Sequence, residues 1–202
     1  MSDANDIDKA EYDNLRAENL FHQTNASAIF GLNVVGLGVG VTASGSIDAA
    51  LLVIAILSCV LWSRYSDHVM AVFRITAYIE MELRPRMVAR LDEPVLGWES
   101  FLRGLPGRHA RLPKLPSVDS RIGVLVSSTA FMLPPPLLCA AFVVQRWATS
   151  VGARRTVLIT AVVLVLIVWL YSMMRTVSVV RWIRAADHRI VETIISPGEA
   201  NR

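Results

Sequence analysis

The chain has 202 residues, 53% of them hydrophobic and 18% charged, with a formal net charge of +3. Soluble domains carry about a quarter charged residues, so this deficit, with a mean hydropathy of +0.46, argues against an ordinary soluble domain and predicts a membrane protein. The basic residues flank apolar runs instead of clustering among exposed aromatics, which points to anionic lipid headgroups as partners and away from nucleic acid.

Residues 1–22 hold six acids, Asp3, Asp6, Asp8, Glu11, Asp13 and Glu18, against Lys9 and Arg16. A solvated N-terminal arm with a short surface helix is expected. The acidic balance also has the wrong sign for the start of a cleavable signal peptide, so the first apolar run is read as a permanent helix.

Residues 23–63 form a first transmembrane hairpin. Its first span, about Ala26 to Ala43, is rich in small residues, and Gly36, Gly40 and Ser44 recur every four positions with Asn33 on the same side. Such a ribbon lets another helix approach closely, and a membrane-buried Asn hydrogen-bonds across the contact. Packing against the chain's own second or third helix is favoured over an oligomer contact or a pore lining. A tight turn from Ser44 to Asp48, which sets Asp48 at an interface, leads to a short second span, Ala49 to Ser63, with Trp62, Arg64 and Tyr65 at its other end.

Residues 64–121 contain an amphipathic helix and then a Pro-rich basic linker. Val69, Val72, Phe73, Thr76, Ile79 and Leu83 recur at helical spacing, with Asp67, Arg74, Tyr78 and Glu82 opposite. Pro85 is expected to end the helix. A short helix around Trp98 to Leu102 is expected within an otherwise irregular connection.

Residues 122–174 form a second hairpin. Its first span, Ile122 to Gln145, is interrupted by Pro134, Pro135 and Pro136. Three prolines remove three donors, so a break near mid-depth is expected. The carbonyls around Ala130, Phe131 and Met132 then need partners from another helix, a nearby hydroxyl or water. Broken helices line sites in transporters, which makes this the sharpest functional hint in the chain. The last span, Thr156 to Met174, is 19 uncharged residues fenced by Arg154, Arg155 and Arg175. At 1.5 Å per residue it is about 28 Å long, close to a bilayer's hydrocarbon core. Residues 175–202 hold a second amphipathic stretch, with Val179, Ile183, Ala186, Ile190 and Ile194 on one face and Arg181, Arg184, His188 and Glu192 on the other. Pro197-Gly198 closes it.

This layout leaves all but three of the 20 Lys and Arg on one side, the exceptions being Arg146, Arg154 and Arg155. The positive-inside rule predicts a multi-pass plasma-membrane protein with both termini cytoplasmic. The plan of span, outer turn, span and amphipathic helix is also repeated, with Trp62 matching Trp169 and Phe73-Arg74-Ile75 matching Val180-Arg181-Trp182. If real, the two halves relate by an axis along the membrane normal.

No Asp, Glu, Lys, Arg or His lies within the four span cores, which argues against an intramembrane enzyme or proton relay. No phosphate loop, metal-ligand spacing or cofactor motif is present, and no cofactor is expected. Cys59 and Cys139 read as buried apolar thiols at different depths. The four histidines read as scattered surface residues.

The expected fold is all-α, an integral membrane four-helix bundle with cytoplasmic amphipathic helices. The expected function is non-enzymatic: helix association, either self-assembly as a homo-oligomer or anchoring of a cytoplasmic partner. An oligomeric pore is the alternative. Asn33, Gly36, Gly40, Ser44 and Pro134, Pro135 and Pro136 are the candidate association or pore residues.

Overall fold

The computed structural model describes residues 2–45, 49–91, 127–147 and 150–195, with side chains from 6 onward and up to 185. Among them there is no strand. Helix α1 is Ser2–Ala43 and α2 is Ala50–Tyr78. A π-helical turn at Ile79–Leu83 leads into α3, Arg84–Leu91. Residues 127–132 form α4, a bend at Leu133 follows, and α5 is Pro134–Trp147. Gly152, with φ of 57°, takes the left-handed turn before α6, Ala153–Ile195. The all-α fold is as expected, and four helices are long and apolar enough to cross a membrane.

The core is a ladder of four clusters climbing α2. Leu51, Leu52 and Ala55 meet Leu138, Cys139, Phe142, Leu158 and Val165 at one end. Leu61 and Trp62 then enclose Phe131. Val69 packs on Val179 and Ile183, and Ile75, Ile79 and Leu83 close the other end against Tyr12 and Leu15. Helix α2 is therefore the shared wall, antiparallel to α1 and parallel to α6.

Several boundaries differ from those read in the sequence. The acidic arm is no separate element: α1 runs as one rod of 42 residues, about 63 Å long. Nor is it solvated throughout, because Asp8 is 2% exposed. Residues 176–195 likewise continue the last span without a break. In each case apolar contacts beyond the span keep the helix worth continuing.

Pro85 does not end its helix. Its ring would clash with the carbonyl four residues back in a regular α-helix. Here the wider turn at Ile79–Leu83 carries the chain past that clash, the Arg84 N–H bonding to the Ile79 carbonyl. The expected helix at Trp98–Leu102, Asp48 and the start of the third span lie outside the described residues.

The proline break is present as a bend at Leu133. Phe131 stacks on Tyr65 at a centroid distance of 5.1 Å, and Tyr65 lies just past the end of the second span. The bend at Leu133 follows directly, and α5 continues from it. Cys139 packs beside Ala55, one turn from Cys59, so the two thiols are closer in depth than expected. Both are free and buried.

Gly40 is buried where α1 crosses α2, and a Cβ there would fall 2.9 Å from Ile54 Cβ. Gly40→Ala should therefore push the two helices apart and destabilise the bundle by about 1–3 kcal/mol. Thermal unfolding in detergent measures this, and trimming Ile54 to Ala in the same chain should restore part of the loss.

Candidate functional site

Two regions concentrate polar chemistry: the proline break inside the bundle, and the juxtamembrane layer where α1, α2, α3 and α6 extend past the apolar run.

At the break, Pro134, Pro135 and Pro136 cannot donate to the carbonyls of Ala130, Phe131 and Met132. Two of these find donors on other helices. Asn33 Nδ2, on a side chain 1% exposed, donates to Ala130 O at 3.3 Å. Trp169 Nε1 donates to Met132 O at 2.8 Å. No donor to Phe131 O is found among the described residues. The side chain of Phe131 is fully buried between Phe30 and Tyr65. Two of the three freed carbonyls are thus satisfied by neighbouring helices.

The small-residue ribbon is likewise used within the chain. Gly40 meets Ile54, and Gly36 lies one van der Waals contact from Leu57, at 3.9 Å for an added Cβ. Ser44 is half-buried and donates to its own helix at Val41 O, 2.6 Å. The structure thus brings Asn33 to the proline break, places Gly36 and Gly40 against α2 one and two turns further along, and leaves Ser44 at the helix end. Gly31 and Gly38 lie on the opposite, open side of α1.

A seam of hydroxyls joins α2 to α6. Ser172 donates to Cys59 O at 3.3 Å and lies 3.2 Å from Ser63 Oγ, while Ser66 and Thr176 are 3.4 Å apart. Arg175, the first charge after the last span, pairs with Asp67. Arg74 sits over Trp182 at 5.9 Å. The paired positions keep a separation of 108 to 113 residues.

Beyond the seam the acidic start of α1 clasps α3. Asp8 accepts from Arg90 at 2.5 Å and lies 3.6 Å from Arg86. Glu11 accepts from Arg86 at 3.2 Å and from the Tyr78 hydroxyl at 2.6 Å. Glu80, its side chain 1% exposed, pairs with Arg84 at 3.0 Å, whereas Glu82 faces out. The two acids point to different sides, as their spacing predicts.

His22 and His68 correct the reading of scattered histidines: their Nδ1 atoms are 2.9 Å apart. One ring must then donate and the other accept, so the contact needs an unprotonated Nδ1. Partial burial, then the nearby His22, holds the His68 pKa below its usual 6.5, with Arg64 adding to this and Asp67 opposing it. Glu18 lies 3.7 Å from His22 Nε2. None of these cross-helix pairs carries a spacing signal in one sequence, because the partners are dozens of residues apart. No group of three or more metal-ligating side chains occurs among the described residues.

Comparison with protein-family models, curated proteins and solved structures returns no match.

Two predictions follow from this geometry. Trp169→Phe strips the donor from Met132 O and should cost about 1–2 kcal/mol. Trp62→Phe should lose packing but no hydrogen bond, because the buried Trp62 N–H has no acceptor among the described residues; detergent unfolding of the two variants tests whether removing the hydrogen bond makes Trp169→Phe the costlier change. The depressed pKa of His68 means that the folded contact favours the neutral ring. Its stabilisation is complete above pH 6.5 and is lost as the pH falls below that value. Melting temperature should drop on acidification through this window, and the drop should shrink in His68→Gln.

Proposed function

We propose that the chain is a non-enzymatic, multi-pass membrane protein that acts by association, holding a rigid helical stalk on the cytoplasmic side as a platform for a cytoplasmic partner. The observation that supports this is continuity. Helices α1, α2 and α6 each run from the apolar region into the stalk without a hinge, and the stalk is knit by Asp8, Glu11, Arg86 and Arg90. Structure of this kind beyond the spans is excess to anchoring alone.

The bias of Lys and Arg toward the stalk end supports placing that end in the cytoplasm, with both termini inside and the plasma membrane as the proposed location. Self-assembly is the other form of association. The Gly36–Gly40 ribbon is occupied by α2, so a second copy would use the open Gly31–Gly38 side of α1.

An oligomeric pore is the second reading, and the thin internal packing of two spans favours it. Only 17% of the apolar windows of α1 and α6 is buried. Against it, two carbonyls of the proline break are taken by Asn33 and Trp169.

Dye leakage from vesicles holding the purified protein separates the two readings. A platform leaves vesicles tight at high protein load, whereas a pore empties them. In native membranes, cross-linking should capture a cytoplasmic partner through the wild-type stalk, and Asp8→Arg should reduce that capture at least severalfold while the protein stays in the membrane fraction. Unchanged capture by the variant would remove the stalk from the account.

A further inference from the structure

Where α1, α2 and α6 emerge from the apolar region they enclose a half-open groove of about 590 Å³. Its depth is set by the chain. Arg175, at one end, directly follows 19 uncharged residues, and Trp182, at the other, lies two helical turns beyond, about 10 Å. With the apolar run in the hydrocarbon, the groove opens at the level of the headgroups.

The chemistry of its wall is mixed. Arg74 and Trp182 supply a guanidinium stacked on an indole, at 5.9 Å. Arg74 is exposed and has no carboxylate partner among the described residues. Arg175 is already matched by Asp67. Glu18 projects from α1 with its side chain 58% exposed, and among the described residues it pairs through a long contact to His22. Met70 and Val179 line the floor with apolar surface.

We propose that this groove binds the headgroup of a single phospholipid, and that the preferred headgroup is a phosphodiester carrying its own ammonium. Arg74 takes the phosphate, since a guanidinium is a fork of donors matched to phosphate oxygens. Glu18 takes the ammonium. The upper acyl chain lies against Met70 and Val179. A headgroup with phosphate alone would face Glu18 uncompensated, so charge complementarity selects the zwitterion. The proposal rests on the chain being embedded in a membrane, but its test uses protein already in detergent, so it can fail while membrane insertion stands.

Native mass spectrometry of the full-length protein in detergent, titrated with phosphatidylethanolamine, phosphatidylglycerol or chain-free glycerophosphoethanolamine, measures binding directly. Phosphatidylethanolamine should bind severalfold better than phosphatidylglycerol. Arg74→Gln should weaken it about tenfold, the scale of one charge-assisted contact. Glu18→Gln should erase the preference between the two lipids, and the outward-facing Arg181→Gln should change neither. Far-ultraviolet circular dichroism and a melt confirm that each variant is folded. Equal losses in Arg74→Gln and Arg181→Gln, a wild-type preference for phosphatidylglycerol, or binding of the chain-free compound as tight as the lipid would each overturn the proposal, the last by assigning the groove to a soluble phosphate ester.

Discussion

A backbone carbonyl in hydrocarbon has no water to fall back on, and three successive prolines create three such carbonyls at once. Much of the bundle's internal order answers that constraint. Asn33 of α1 and Trp169 of α6 reach the bend from opposite helices, so the broken third span is tied to the first and the last. Those ties fix the depth of the bend, which sets where Phe131 wedges between Phe30 and Tyr65. An unpaired peptide group costs several kcal/mol in such surroundings, more than most single packing contacts return, so the bend dictates its neighbours.

The two halves handle this differently. Trp62 and Trp169 lie on parallel helices, yet the Trp169 N–H is bonded and the Trp62 N–H has no partner among the described residues. The physical reason lies in their partners. The helix opposite Trp169 is broken and presents a bare carbonyl, whereas α1 is intact and its carbonyls are occupied by its own backbone. The proline triplet is thus a local feature of the third span, answered by donors on its neighbours.

The sequence made some of this readable. Charge-free runs and their arginine fences locate the apolar helices, because length and hydropathy are local quantities. The Gly36–Gly40 period foretells close helix contact, and three prolines foretell orphaned carbonyls that another helix must satisfy. What stays hidden is whatever depends on two distant residues meeting. Asp8 reads as one acid among six until α3 folds back on it, and His22 and His68 read as isolated until α1 pairs with α2. Pro85 misleads for a related reason: a proline forbids a regular turn but not a wider one, and only tertiary packing of Ile79 and Leu83 makes the wider turn worth keeping.

Continuity of α1 has a mechanical corollary. About 24 of its residues project past the apolar region, a lever of about 36 Å. Spanning helices tilt to match bilayer thickness, and a rod without a hinge cannot absorb that tilt at the surface. Ten degrees of inclination, well within the usual range of about 0–40°, swings the far tip sideways by about 6 Å. Thinning or thickening of the lipid is thereby converted into lateral travel at Asp8 and the α3 clasp.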